Sequence, residues 1–327
     1  MIVSKTPFRI SFFGGGTDYP KWYLKYGGRV ISTSIDKYCY ISCRELPPFF
    51  SHNHRIVYSK IENAKTINQI QHPVVKAILK KFNVKKGLEI HHDGDLPAKS
   101  GIGSSSSFTV GMLNALYAMA NMKVTKFQLA NQAIFLEQKT LKENVGSQDQ
   151  IAAAYGGFNY IQFNKNSTFE ILKNNFQKKN IENIEESIVL CYTSLSRISG
   201  HVAKKKLSNF KVKKIKFEKL NYLTLEADKL LSSKNFILKD FAKLVTESWM
   251  IKKSLANEVS NNYIDEIFEF SLKNGALGGK LLGAGAGGFL MFIISKNKKK
   301  EFINKMKKLI CFGISFDNKG SQILNLK

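Results

Sequence analysis

The 327-residue chain is 43% hydrophobic and 12% aromatic, which suits one large or two medium domains with a sizeable core and excludes general disorder. Its longest apolar run, FLMFII at 289–294, is far short of the roughly 20 residues that span a bilayer. A formal charge of +25 raises the possibility of a nucleic-acid partner, because a basic face releases counterions from a phosphate backbone.

Arginine usage argues against that partner: only Arg9, Arg29, Arg44, Arg55 and Arg197 occur among 50 basic residues. Base-edge and forked phosphate contacts favour arginine over lysine. The lysines are scattered, so a solvated lysine-rich surface is the simpler reading, with an acidic polymer or a phosphorylated small substrate as the other uses. MIVSKTPFRISFF lacks the layout of a signal peptide, so a cytoplasmic protein without a membrane partner is expected. No sequence feature sets an oligomeric state.

In chain order, residues 1–13 and 29–46 read as strands, the second carrying YCYISC, and GLEIHHD at 87–93 as another. A helix is expected from about Ser104 to Asn121, its MLNALYAMA suited to close packing. Thr125 followed by Gln128 opens a second helix through about Leu141 with a capping box. Ser147 followed by Gln150 repeats the signal for a short helix ending at Gly156-Gly157, before the strand FNYIQF. Beyond a lysine- and asparagine-rich stretch from 164 to 186, the strand SIVLCYTS leads into a mostly helical region reaching about Asn274. KLLGAGAGGFLMFIIS, a helix and a strand near 309–316 close the chain. Cys39, Cys43, Cys191 and Cys311 form no CxxC pair and no zinc set, and are expected as reduced, mostly buried thiols.

Three glycine-rich segments compete for a ligand: FFGGGTDYP at 12–20, KSGIGSSSS at 99–107 and KLLGAGAGGFL at 280–290. No GxxxxGK[ST] exists, which excludes a P-loop. A dinucleotide fingerprint fails because GIGSSS has serine in the third glycine position and GAGAGG leads into a strand. Protein-kinase landmarks such as HRD and DFG are absent. A loop of small residues before a helix does suit phosphates: backbone N–H groups converge and the positive end of the helix near Ser104 faces them. Gly101 and Gly103 allow close approach, and serine hydroxyls can donate to phosphate oxygens or ligate magnesium. Taken alone, the segment would serve equally as a loop that caps a helix.

The order of the segments resembles the GHMP kinase family: P-x-R with a glycine turn and T-D-Y, then L-P-x3-G-x-G-S-S, then a late G-x-G-x-G-G. Here these are TPFRISFFGGGTDYP, LPAKSGIGSSSS and KLLGAGAGGFL, with ENVGSQDQIAAAYGG similar to the G-x-x-D-Q segment of the family's sugar kinases. The GGGTDYP variant resembles the subgroup of heptose 7-phosphate kinases and fucokinases rather than the galactokinases, and the length and YTSLSRISGHV at 192–202 are more similar to the heptose 7-phosphate kinases. The resemblance implies an α+β, two-domain fold, with an N-terminal part like ribosomal protein S5 domain 2 (1–185) and a ferredoxin-like C-terminal part (186–327). It also implies ATP and Mg2+, a sugar phosphate acceptor, and transfer to an anomeric hydroxyl.

Carried over by motif, Lys99, Gly101, Ile102, Gly103, Ser104, Ser105 and Ser106 would hold the ATP phosphates. Ser105 and Glu137 would hold magnesium, although Glu137 would otherwise read as a surface helix residue. Asp149 would orient the attacking hydroxyl or accept its proton, and as the second residue of a helix it also complements the helix end. Arg9 would stabilise the transferring phosphoryl group. Gly15, Gly16, Thr17, Asp18 and Gly285 would meet the acceptor, with Asp18 otherwise a turn residue. Arg197 and Ser199, at a strand-to-helix passage, would hold its distal phosphate. A nucleic-acid-binding protein on an S5-like fold would account for the charge, but it would not require Glu137 and Asp149 at these places.

Overall fold

The structure is a computed structural model that describes residues 1–173, 175–195 and 210–324. The chain forms two sheets with helices packed on them, an α+β arrangement. The larger sheet is organised by two long strands, β1 (Ile2–Phe13) and β2 (Gly28–Glu45), paired antiparallel along their lengths. The far half of β2 continues to β5 (Leu88–Gly94), then β3 (His54–Val57) and β4 (Ile61–Ala64); its near half pairs with β6 (Phe158–Phe163), which carries β7 (Phe169–Ile171). The register between β1 and β2 slips between Pro7 and Phe8 and again between Ser11 and Phe13. Such irregularities bend a strand and re-aim its side chains, and Arg9 lies between the two.

Proline at the first turn starts α1 (Pro20–Tyr26) and α2 (Pro73–Lys81), where its missing N–H costs nothing. Helix α3 (Ser104–Met119) lies across β1 and β2 and is buried nearly all round, as its apolar and small residues require. Thr125 and Gln128 form the expected capping box of α4 (Lys126–Phe135), but its last turn, Leu136–Thr140, widens into a π-helical turn instead of continuing as α-helix. Helix α5 (Gln148–Tyr155) begins where expected without the expected cap. The Ser147 hydroxyl accepts from Gln138 Nε2 at 2.9 Å, and the Gln150 amide is directed to Glu137.

The smaller sheet has the order β11-β8-β10-β9, all antiparallel, from β8 (Ile188–Tyr192), β9 (Ala276–Leu281), β10 (Phe289–Ile294) and β11 (Ile310–Gly313). Helices α6 (Lys178–Ser187), α7 (Phe210–Ser232), α8 (Leu238–Lys253), α9 (Asn262–Lys273) and α10 (Lys299–Lys305) accompany it. The chain then returns: Phe316 bridges to Ile35, and β12 (Gln322–Leu324) adds to β1 at the edge of the larger sheet. One apolar core runs through both halves, with Phe241 of α8 packed edge-on to Phe12 and Phe13 at 5.6 and 5.5 Å.

Contrary to the expectation of reduced thiols, Cys191 and Cys311 stand directly opposite on β8 and β11, with Cα atoms 4.2 Å apart, and form a disulfide. Cys39 and Cys43 are free and buried. No helix among the described residues is long and apolar enough to cross a membrane.

Candidate active site

A cleft opens between the loop before α3, the glycine turn after β1, the start of α5 and the ends of α8 and β9. At its base, Arg9 donates to both oxygens of Asp149, Nε to Oδ1 at 2.7 Å and Nη2 to Oδ2 at 2.6 Å. The third arm of the fork, Nη1, donates to the carbonyl of Gly101 at 2.7 Å. The Arg9 amide donates to the carbonyl of Ile102 at 3.0 Å. The arginine therefore ties the loop to the first turn of α5, and a bidentate charge-assisted pair fixes the carboxylate's orientation as well as its position.

Gly101 and Gly103 both have left-handed backbone conformations. Ile102 between them is buried in the core, so it anchors the loop and offers only its backbone to a ligand. Lys99, Ser104, Ser105 and Ser106 all line the cleft. The opposite half supports the loop from behind: Phe289 N donates to Ser100 O at 3.0 Å. Gly288 passes so close that a β-carbon there would lie 2.0 Å from the same oxygen, which requires glycine.

Glu137 sits in the π turn with its side chain 0% exposed, rather than on a helix surface. Oε2 accepts from Ser106 Oγ at 2.9 Å and Gln150 Nε2 at 2.5 Å, while Oε1 is buried with no hydrogen-bond partner among the described residues. Burial raises its pKa to about 7, against the pull of these hydrogen bonds. Ser106, rather than Ser105, meets Glu137; Ser105 is exposed towards the cleft. Among the described residues no cluster of three or more acidic, histidine or cysteine side chains could hold a metal alone. A hard cation here would take a carboxylate and hydroxyl oxygens from the protein and the rest of its shell from phosphate and water, as magnesium does. Glu137 lies behind Ser106 rather than on the cleft wall, and its Oε1, without a partner among the described residues, is the atom left for that role.

Asp18 is buried on the other side of the cleft. Its Oδ1 accepts from Gly16 N at 2.8 Å and its Oδ2 from Gln148 Nε2 at 2.9 Å. Thr17 stands behind the turn, its hydroxyl bonded to the carbonyls of Gly14 and Arg29, so it holds the turn rather than facing a ligand. Gly15 and Gly16 line the cleft. Gly285 does not: a side chain there would run into Val259, and Gly283 and Ala284 form the wall in its place. Arg197 and Ser199 lie outside the described residues. Arg44 and Arg55 converge on Glu89 on the outer part of the larger sheet and do not line the cleft.

Two lysines of the cleft went unassigned in the sequence, Lys252 outside every motif and Lys280 at the head of KLLGAGAGGFL. Lys252, in the last turn of α8, donates to Leu281 O at 2.8 Å; Lys280, on β9, donates to Phe12 O at 2.6 Å. Their burial depends on how the two halves meet, which local periodicity does not encode.

A glycine- and serine-rich loop at a helix start, with an arginine–aspartate pair at its base and a buried glutamate beside it, suits the binding of phosphate groups. The chain matches the family model GHMP kinases N terminal domain over residues 68–157 and GHMP kinases C terminal over residues 234–310. It belongs to the GHMP kinase family, phosphotransferases acting on a hydroxyl group. It is 30% identical over 321 residues to the D-glycero-alpha-D-manno-heptose 7-phosphate kinase of Campylobacter jejuni, covering 94% of this chain and 93% of that protein. The mevalonate kinase of Methanocaldococcus jannaschii is 24% identical, covering 94% and 96%. Among solved structures, the D-glycero-D-manno-heptose 1-phosphate kinase from Bacteroides thetaiotaomicron superposes with a TM-score of 0.79 at 23% identity over the whole of both chains. The galactokinase of Lactococcus lactis with galactose superposes with 0.74 at 20% identity, covering 99% of this chain and 95% of that one. Both share the two-domain fold.

Proposed function

We propose that the chain is an ATP-dependent sugar 1-kinase that phosphorylates the anomeric hydroxyl of D-glycero-D-manno-heptose 7-phosphate. The product, the 1,7-bisphosphate, would serve nucleotide-activated heptose synthesis in the cytoplasm. The observation that carries the reading is the Arg9–Asp149 pair, which joins the phosphate loop to the wall that holds Asp18. The resemblance to the Campylobacter kinase supports the choice of acceptor.

In the reaction the anomeric oxygen forms a bond to the γ-phosphorus of ATP, the bond from that phosphorus to the bridging oxygen breaks, and ADP leaves. Asp149 orients the hydroxyl and receives its proton: each carboxylate oxygen accepts one bond from Arg9 and keeps a lone pair for the acceptor. The transition state is loose, so positioning and charge neutralisation dominate and a strong base is not required. Arg9 supplies positive charge at the loop's mouth. Lys99, the backbone of Gly101 to Gly103, and Ser104 to Ser106 hold the triphosphate. Glu137 and a loop serine, Ser105 at the cleft or Ser106 against the carboxylate, would hold Mg2+, which when bound neutralises phosphate charge. Gly15, Gly16 and Asp18 receive the sugar hydroxyls, with Thr17 behind them, and Arg197 and Ser199 would hold the distal phosphate.

ADP release measured with a panel of sugars and sugar phosphates tests the reading. Turnover is expected with heptose 7-phosphate above every other acceptor; preference for mevalonate or a hexose would refute the assignment.

A further inference from the structure

We propose that Ser11, Gln148 and the bare backbone of Gly15 form a niche that takes one non-reacting hydroxyl of the acceptor, so that the site selects its sugar by that group. The inference rests on the reading of the cleft as a sugar kinase site and deepens it by assigning acceptor recognition to Ser11 and Gln148, which that reading leaves without a role.

The three glycines after β1 are not equivalent. Gly14 and Gly16 have left-handed backbone conformations, and a β-carbon on Gly14 would lie 1.8 Å from the carbonyl oxygen of Arg29, so the turn itself requires glycine at both. Gly15 is outside the left-handed region. A β-carbon there would meet only Ser11 Oγ at 3.7 Å and Gln148 Nε2 at 3.8 Å among the described residues, which are ordinary contacts. The fold therefore tolerates a side chain at 15. Gly15 lines the cleft, so the ligand is what needs that space kept open.

The two residues that flank this space carry unused hydrogen-bonding capacity. Ser11 and Gln148 line the cleft and are 7% and 6% exposed, and Ser11 Oγ and Gln148 Oε1 are buried with no hydrogen-bond partner among the described residues. The Gln148 amide is held in one orientation by its bond from Nε2 to Asp18 Oδ2 at 2.9 Å. Buried polar atoms are normally satisfied, and two that are not, beside one open point of a cleft, mark the place of a ligand group.

Their chemistry defines that group. Gln148 Oε1 only accepts, whereas the Ser11 hydroxyl both donates and accepts. A phosphate or ring oxygen would face Oε1 acceptor to acceptor. Of the groups that a sugar phosphate carries, a hydroxyl alone can donate to Gln148 and accept from Ser11. Gln148 directly precedes Asp149, so the niche adjoins the residue that orients the reacting hydroxyl.

The test uses Gly15→Ala, which fills the niche with one methyl group, and Ser11→Ala, which removes its donor. Neither breaks a side-chain hydrogen bond seen among the described residues, so both should melt within about 2 °C of the wild type. Gly15→Ala should lower kcat/KM for heptose 7-phosphate at least about tenfold and Ser11→Ala about 3- to 10-fold, with the KM for ATP unchanged. Monodeoxy analogues of the acceptor identify the hydroxyl: one position should cost the wild type about tenfold and cost Ser11→Ala at least about threefold less, because part of its contact is already gone. Unchanged acceptor kinetics in Gly15→Ala, a loss confined to ATP, or additive effects at every deoxy position would overturn the niche. A clearly lower melting temperature in Ser11→Ala would overturn it too, by showing that Oγ has a partner within the chain. A wild type that prefers another sugar refutes the acceptor named above but not the niche; on that sugar the same losses in the two variants support the niche and their absence overturns it.

Discussion

Replacing Asp149 with asparagine keeps the shape of the side chain and removes its charge. One of the two oxygens that receive the Arg9 fork at 2.7 and 2.6 Å becomes an NH2 group facing an N–H donor. A bond to a charged partner is worth about 1.5–3 kcal/mol, and with the Asp149 side chain 24% exposed the loss in stability should be discounted to about 1–2 kcal/mol. The fold and the loop survive, because Arg9 keeps its bond to Gly101 and Phe289 still braces Ser100. Catalysis suffers more: losing the group that orients the hydroxyl and takes its proton should lower kcat by about 10²–10⁴-fold. Steady-state kinetics with saturating ATP and heptose 7-phosphate, beside calorimetry of ATP binding, measures both sides. ATP affinity within about threefold of wild type together with the kcat loss is expected. Undiminished kcat would show that Asp149 is a structural partner of Arg9 only.

Glu137→Gln should raise the magnesium concentration needed for half-maximal activity several-fold, since a charged ligand becomes neutral; an unchanged titration removes Glu137 from the metal shell. Gly146→Ala would put a β-carbon 1.8 Å from Asp18 Oδ2, so Asp18 must move, and the acceptor KM should rise by about tenfold or more with the ATP KM preserved. Arg197→Ala should raise the KM for heptose 7-phosphate by a factor equivalent to about 2–3 kcal/mol and leave that for ATP in place. Burial lowers the pKa of His72 and His92 below the usual 6.5, and both rings pack on Phe108 at 4.7 and 5.1 Å. Protonation is therefore resisted more in the folded chain than in the unfolded one. Their contribution is complete above 6.5 and is lost as pH falls from there through the lower folded-state value, so His72→Asn should flatten the acid side of the melting-temperature profile; an identical slope would count against this.

The parts of the site readable in advance were those held by local sequence. LPAKSGIGSSSS forms the loop before α3, and Thr125 with Gln128 forms the cap of α4. Asp149 and Arg9 stand 140 residues apart; motif order named each of them, but their pairing was not legible, since no periodicity links a strand to a distant helix start. Ser147 and Gln150 carry the same capping pattern as Thr125 and Gln128, yet the hydroxyl and the amide are claimed by Gln138 and Glu137. Tertiary partners outbid local propensity there.

What escaped the sequence depends on long-range assembly. Glu137 reads as one face of a helix, and only the π turn directs it inward. Lys252 and Lys280 look like surface lysines until the C-terminal half closes over β1. Gly285 shares its motif with Gly283, but the turn points it at Val259. Cys191 and Cys311 are 120 residues apart and become neighbours only through the register of β8 and β11.

Phosphorus NMR of the product formed from ATP and heptose 7-phosphate distinguishes which oxygen receives the phosphoryl group. A second phosphorus signal coupled to the anomeric proton, appearing in step with ADP, is expected. A new phosphate on any other carbon, or ADP release with no new sugar phosphorus signal, would contradict it.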